Sequence, residues 1–134
     1  NEQKERISST AKLVNLTDDL HKQVSAYSGG MKRRLSLAIA LIQNPEILIL
    51  DEPTVGIDPE LRFQIWNELV RLKDEEGKTI LVTTHVMDEA NRCDFVSMLR
   101  DGAIIAHGSP HSLKTQFQVE SLDEVFLHAG RTSL

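Results

Sequence analysis

The sequence predicts an α/β protein, and three features of its 134 residues indicate that class. Two short runs rich in β-branched residues, at 47–50 and 79–84, have the length of strands. The stretch between them repeats apolar residues at helical spacing. Strand, helix and strand in this order form a βαβ unit, in which the strands are parallel neighbours with a right-handed connection.

The composition limits the functions open to the chain. Hydrophobic residues make up 40% and charged residues 26%, as in ordinary globular proteins. A net charge of −5 argues against a nucleic-acid partner, since such domains are basic. One cysteine, Cys93, excludes an intramolecular disulfide and a cysteine-cluster metal site. The apolar runs fall short of the roughly 20 residues of a membrane span, and the first residue, Asn1, predicts a chain cut from something longer.

The amino-terminal elements are predicted from periodicity and stop signals. Residues 1–24 are loosely helical, and a drift of the pattern at 15–19 allows two short helices. Residues 31–43 form an apolar-rich helix that the Asn44-Pro45 pair stops. The continuous apolar run at 47–50 then predicts a strand buried on both faces.

The following helix carries start and stop signals. Asp58 can cap the free amides, and Pro59 suits the first helical position. A core-facing stripe follows, and Gly77 ends the helix; the stripe consists of Leu61, Ile65, Leu69 and Leu72.

The carboxyl-terminal third begins with a second buried strand, 79–84, which ends at His85. A short helix over 88–92 and a hairpin around Asp101-Gly102 are predicted next. Two further helices follow, one beginning at Ser109-Pro110 and one over 120–129.

Two acids stand at the carboxyl end of the first predicted strand, where open α/β sheets bind ligands. Asp51 suits Mg²⁺, a hard ion held by few carboxylates together with phosphate oxygens. Glu52 could take a proton from a water aimed at phosphorus. A strand end carrying two solvated acids explains the same residues about as well.

A second candidate is the start of the helix that follows Tyr27. Gly29 and Gly30 leave backbone amides uncovered after Ser28, and a helix amino end attracts anions. Basic residues in this turn oppose the helix dipole unless an anion binds; they are Lys32, Arg33 and Arg34. A solvated basic turn is the simpler alternative.

The third candidate is His85, which follows the second strand and is therefore predicted to share an edge with Asp51 and Glu52. A histidine there can hydrogen-bond a phosphate oxygen or hold the attacking water. An isolated histidine at a strand end is more often structural, so its interest depends on that shared edge.

Together these residues closely resemble the second half of an ATP-binding-cassette (ABC) nucleotide-binding domain. Residues 27–31 resemble the signature motif, and residues 47–52 resemble the Walker B strand with its catalytic glutamate. Residues 56–58 match the D-loop, and His85 matches the switch histidine. The resemblance spans about residues 10–128, with four motifs in order.

Within that family the chain is most similar to ATPases of the ABC-2 exporter type, which move drugs, lipids or polysaccharides outward. The similarity rests on residues 31–35, 54–59 and 121–126. Met31 stands where the family's signature usually has glutamine, a common exchange in this branch, and Tyr27 replaces the usual leucine.

The resemblance implies a dimer in which two such domains sandwich two ATP molecules. The signature residues of one chain would contact nucleotide held by the other; here they are Ser28, Gly29, Gly30 and Met31, with Asp58 of the D-loop beside them. Asp51 would order Mg²⁺, Glu52 would polarise the water, and His85 would sense the γ-phosphate. The implied partners are a second nucleotide-binding domain, identical or not, and a membrane-spanning permease at the cytoplasmic face of the cell membrane.

The resemblance also divides the chain into three parts: residues 1–44 end a helical signature subdomain, 45–108 belong to the ATPase core, and 109–134 form carboxyl-terminal helices. The fold it implies is a partial P-loop NTPase-like sheet of parallel strands flanked by helices. The sequence contains no Gly-x-x-x-x-Gly-Lys-Ser/Thr (Walker A) loop. The isolated chain is therefore expected to be inactive, although its full-length parent would hydrolyse ATP.

Two alternatives remain. A non-enzymatic half-domain could regulate a complete ABC ATPase by donating the signature motif; the presence of Glu52 and His85 speaks against it. A soluble ABC ATPase of DNA repair or translation would usually carry coiled-coil insertions, and no heptad run is visible.

Overall fold

The computed structural model describes residues 1–131 and divides them into two compact units. The first comprises residues 1–83, and the second begins at Thr84. Both mix helices with a two-stranded sheet, which confirms the predicted α/β class. Within residues 1–131, no helix has the length and apolar character needed to cross a membrane.

The first unit begins with helix α1, Glu2–Leu13, followed by two short 3₁₀ turns at Thr17–Asp19 and Val24–Ala26. The apolar pattern therefore breaks where α1 ends, as predicted, but the chain continues in 3₁₀ turns and not in a second α-helix. Helix α2 covers Gly29–Ile42, and its last turn is followed by Asn44 with a positive φ of 49°. The turn before Pro45 therefore ends the helix as predicted.

Strand β1, Ile47–Asp51, pairs in parallel with strand β2, Thr79–Thr83, as the βαβ unit predicts. The prediction that β1 is buried on both faces is wrong, and so is the prediction that β2 is a buried strand. Leu48 and Leu50 are buried, but the alternate residues are exposed: Ile47, Ile49 and Leu81. A run that is apolar at every position indicates that both faces of the strand avoid water, but not that elements of the same chain cover them. Residues 1–131 cover only one face of this sheet.

Helix α3, Pro59–Glu76, connects the two strands. The Asp58 carboxylate caps it by accepting a hydrogen bond from the Leu61 amide at 3.0 Å, and Gly77 ends it in the left-handed conformation at φ 66°. Both predicted signals are confirmed. Its predicted stripe faces the core: Leu61, Ile65 and Leu69 are buried and Leu72 is half-buried.

Tyr27 joins the 3₁₀ segment to the start of α2. Its ring is buried, and its hydroxyl donates a hydrogen bond of 2.8 Å to the backbone carbonyl of Asp19. A leucine would fill the space but could not donate to that carbonyl, which also accepts a hydrogen bond from the Lys22 amide at 3.0 Å. The tyrosine therefore adds a polar anchor to the segment that leads into α2.

We expect Tyr27→Phe to lower the free energy of unfolding by about 0.5–1.5 kcal/mol, the net value of one hydrogen bond. Urea unfolding followed by circular dichroism measures this. Lys22 is the control: its ammonium group pairs with Asp19 at 2.6 Å on the surface, where the hydrogen bond to Asp19 raises the lysine pKa. Lys22→Met should leave stability nearly unchanged because exposed pairs contribute little. Equal losses for both variants would contradict the anchoring role of the hydroxyl.

The second unit begins with helix α4, Met87–Ala90, which lies slightly earlier than the predicted 88–92. Strands β3, Val96–Arg100, and β4, Ala103–Gly108, form the predicted antiparallel hairpin. Positive φ values at Asp101 and Gly102, 51° and 78°, match the tight turn that an Asp-Gly pair favours.

Helices α5, Pro110–Phe117, and α6, Leu122–Arg131, complete the second unit. Its core combines residues of α4, the hairpin and the last two helices: Ala90, Met98, Ala106, Leu113, Leu122, Val125 and Ala129. The Arg100 guanidinium lies 4.4 Å above the Phe126 ring, and a Cβ built on Gly130 would overlap that guanidinium. Because Gly130 has no side chain, the Arg100 side chain can lie across α6 at this position.

Candidate functional site

The start of α2 is an exposed glycine turn. The Ser28 hydroxyl oxygen caps the helix by accepting a hydrogen bond from the Met31 amide at 3.2 Å. A Cβ built on Gly29 would meet nothing within 4 Å, and one on Gly30 would lie 3.9 Å from the Gly56 carbonyl oxygen. The packing of the chain therefore tolerates alanine at both positions, and what glycine supplies here is uncovered backbone.

The two arginines that follow the glycine turn have separate tasks. Arg34 donates to the carbonyl oxygens of Val14 and Asn15, at 3.2 and 2.9 Å, and so satisfies the end of α1. Arg33 donates to the Glu52 carbonyl oxygen at 2.6 Å. The expectation of three cations awaiting an anion is therefore wrong for the two arginines, because their long side chains reach backbone carbonyls away from the helix axis.

Asp51 is the last residue of β1 and is exposed. In the parallel register it lies opposite Thr83, whose hydroxyl donates a hydrogen bond to its carboxylate oxygen Oδ1. This bond orients the carboxylate and leaves the other oxygen, Oδ2, as an available ligand. One carboxylate suits Mg²⁺ held mainly by water and phosphate oxygens. The residues of the described chain contain no group of three or more acidic, histidine or cysteine side chains that would form a closed metal site.

Glu52 has an unusual backbone for its position. Its φ of 45° lies in the left-handed region, which costs a residue with a side chain on the order of 1–3 kcal/mol. Its amide donates to both the carbonyl oxygen and the hydroxyl oxygen of Thr83, each at 3.0 Å. Its carbonyl accepts from Arg33 at 2.6 Å and from the Val55 amide at 3.4 Å. Hydrogen bonds on both sides hold this turn and so fix the direction of the Cα–Cβ bond from which the half-buried side chain extends.

The loop after Glu52 leads to the start of α3. Thr54 and Ile57 are buried, and Gly56 adopts a φ of 75° that glycine accommodates without steric cost. The carbonyl of Gly56 faces the Gly30 backbone of α2. Asp58 is exposed as a residue while its carboxylate caps α3. Its capping role, predicted from the sequence, is confirmed.

His85 belongs to the second unit and is exposed. Thr84 beside it is held tightly: its hydroxyl donates to the buried Glu89 carboxylate at 2.6 Å and accepts from the Val86 amide at 3.0 Å. This pair fixes the backbone that carries the histidine. The edge that His85 was predicted to share with Asp51 stays a prediction.

Within the first unit the structure brings the start of α2, the Gly56 loop and the end of β1 together. Sequence reasoning gave no role in this group to Thr83 and assigned Arg33 only to a basic turn. The parallel register was the available signal for Thr83, because a polar residue at the last position of β2 lies opposite Asp51. No sequence signal indicates the contact of Arg33 with Glu52, which are 19 positions apart.

The comparisons with known proteins agree on one family. A family model described as ABC transporter matches residues 1–55. The chain is 52% identical over 108 residues to the Nod factor export ATP-binding protein I of Rhizobium meliloti, which covers 80% of the chain and 32% of that protein. It is 47% identical over 116 residues to ABC transporter G family member 20 of Dictyostelium discoideum, covering 87% of the chain and 16% of that protein. The chain thus spans a third or less of these two relatives.

Solved structures match the fold as well. The ATP-binding subunit of an ABC transporter superposes with a TM-score of 0.87 at 28% identity, over 96% of the chain and 55% of that subunit. The ATP-binding cassette MJ0796, solved as a dimer in a post-hydrolysis state bound to ADP and Pi, has a TM-score of 0.75 at 29% identity. That match covers 81% of the chain and 47% of the cassette.

Proposed function

Because the chain belongs to the ABC transporter family, we propose that it forms the signature, Walker B and switch portion of an ATP-hydrolysing domain that drives export. The observation that carries this proposal is the Asp51-Glu52 pair, fixed at the end of β1 and bonded through Arg33 to the glycine-started helix α2. The relatives named for Nod factor export support an exporter. A drug, lipid or polysaccharide is the proposed class of cargo.

In the proposed reaction Glu52 takes a proton from water as the water oxygen bonds to the γ-phosphorus of ATP, and the bond from that phosphorus to the β–γ bridging oxygen breaks, so that ADP leaves with phosphate as the other product. Mg²⁺, held by Asp51, would neutralise charge on the phosphate oxygens. Ser28, Gly29 and Gly30 present uncovered amides to a phosphate anion. His85 hydrogen-bonds the γ-phosphate, and residues Met31 and Asp58 line the nucleotide side of the interface.

The nucleotide contacted by the start of α2 is proposed to be held by a second nucleotide-binding domain. The dimeric cassettes among the matching structures support such a partner. A membrane-spanning permease would hold the assembly at the cytoplasmic face of the cell membrane. In this arrangement residues 1–44 end the helical signature subdomain, residues 45–108 belong to the ATPase core and residues 109–131 form the carboxyl-terminal helices. The predicted extension of that last part to residue 134 lies outside the described residues.

The test is phosphate release by the full-length protein that contains this chain, measured with and without Mg²⁺. We expect ATP hydrolysis that EDTA abolishes and excess Mg²⁺ restores, and no release from residues 1–134 alone, which lack a Walker A loop. A full-length protein without ATPase activity would contradict the proposal. If residues 1–134 then changed the rate of a complete ABC ATPase on mixing, the regulatory half-domain would replace it.

A further inference from the structure

We propose that Arg33 and Thr83 are positioning residues that together clamp the Glu52 peptide and so aim its carboxylate at the attacking water. The inference rests on the proposed role of Glu52 and adds two residues to it. Its basis is the left-handed backbone of Glu52, at φ 45°. Glycine and asparagine adopt this conformation readily, whereas a glutamate rarely does. Such a conformation persists only where surrounding contacts over-determine it.

Thr83 holds the Glu52 amide and the Asp51 carboxylate at once. The Glu52 amide can only donate, and it does so to the Thr83 hydroxyl oxygen at 3.0 Å. The hydroxyl must then direct its single proton elsewhere, and it donates to Asp51 Oδ1. One hydroxyl thereby fixes the direction of the proposed metal ligand relative to the proposed base.

Arg33 holds the other side of the same residue. Its guanidinium Nη2 donates to the Glu52 carbonyl oxygen at 2.6 Å, a charge-assisted bond that spans two elements. The same carbonyl accepts a longer hydrogen bond from the Val55 amide, at 3.4 Å. Arg33 also lies in the second turn of the helix that Gly29 begins. The clamp therefore ties the end of β1 to the start of α2.

Loss of either contact should misdirect the Glu52 side chain without removing it. A displacement of about 1 Å at a reacting group can cost up to roughly 100-fold in rate, so we expect Arg33→Ala and Thr83→Val each to lower kcat about 10-fold. The KM for ATP should change less than twofold, because neither side chain is proposed to bind nucleotide. Thr83→Ser keeps the hydroxyl and should keep kcat within twofold of wild type.

The experiment measures steady-state ATP hydrolysis by the full-length protein carrying each variant, alone and combined with Glu52→Gln. Arg6→Ala serves as the control for loss of an exposed helical arginine, since the Arg6 guanidinium forms a surface pair with Glu2 at 3.2 Å. If the clamp acts through Glu52, Arg33→Ala and Thr83→Val should not lower the residual rate of Glu52→Gln further. A single-turnover assay with labelled ATP measures that residual rate.

Three results would overturn the clamp. One is a kcat within twofold of wild type for both variants, another is an equal fold-loss on the Glu52→Gln background, and the third is a loss of kcat in Thr83→Ser as large as in Thr83→Val. If Arg33→Ala does not fold, the comparison of Thr83→Val with Thr83→Ser tests the clamp, because both side chains are close to threonine in size. Wild-type turnover by Glu52→Gln itself would instead refute the proposed role of Glu52, which separates the two failures.

Discussion

Glu52→Gln in the full-length protein is expected to reduce ATP turnover by roughly 10²–10⁴-fold, the contribution of a general base, while ATP binding is retained. The substitution replaces one carboxylate oxygen by an amide nitrogen and removes the ability to take a proton. It leaves the backbone bonds to Thr83 and Arg33 in place, so the turn after β1 keeps its geometry. Phosphate release and binding of a fluorescent ATP analogue measure the two quantities separately.

Glu60→Gln is the matched control for this experiment. Glu60 is an exposed acid in the first turn of α3, only eight positions further along the chain, and the same isosteric change removes the same charge there. We expect its turnover to stay at the wild-type level. Equal turnover by the Glu52 and Glu60 variants would remove Glu52 from the reaction and assign the proton transfer to another group.

The elements that could be predicted from the sequence are those whose signals are local. Asp58 and Gly77 bound α3 because a side-chain cap and a left-handed glycine act within one turn of the helix. The hairpin follows from Asp101-Gly102 for the same reason, since both residues accept a positive φ. The parallel pairing of β1 and β2 needed only the length of the connection.

The exposure of the sheet could not be predicted in this way. Ile47 and Ile49 are 63% and 73% exposed, although their run reads as a fully buried strand. A hydrophobic pattern indicates which residues avoid water, whatever covers them. Their burial in the structure of residues 1–131 depends on whether those residues include the elements that cover the strand. The same pattern is therefore compatible with cover from within the chain or from outside it.

The candidate site divides in a similar manner. Asp51, Glu52 and Gly29 could be selected because their residue types at a strand end and a helix start already indicate phosphate chemistry. The contacts of Thr83 follow from the parallel register of β1 and β2. The contact of Arg33 depends on how α2 packs across the end of β1, a tertiary fact without a sequence period. Positions distant in sequence meet there because a helix and the strand after it run antiparallel.

Gly29→Ala is expected to raise the stability of the fold and to lower the ATPase activity. A Cβ at this position meets nothing within 4 Å, and alanine is the better helix former, so the free energy of unfolding should rise by about 0.4–1 kcal/mol. ATP turnover should fall by roughly 10- to 100-fold, because the methyl group would stand between the backbone amides and the phosphate proposed to bind there. Chemical unfolding and phosphate release on the same preparation measure both.

Ser36→Ala provides the comparison, because Ser36 is an exposed residue of the same helix whose replacement also improves helix propensity. It should raise stability slightly and leave turnover unchanged. Lower stability in Gly29→Ala would mean that the fold itself requires glycine, and unchanged turnover would mean that no ligand approaches the helix start. Only a gain in stability together with a loss of activity indicates a residue kept for function at the expense of the fold. We expect this pair of results because a Cβ on Gly29 would meet nothing within 4 Å and the helix start is exposed.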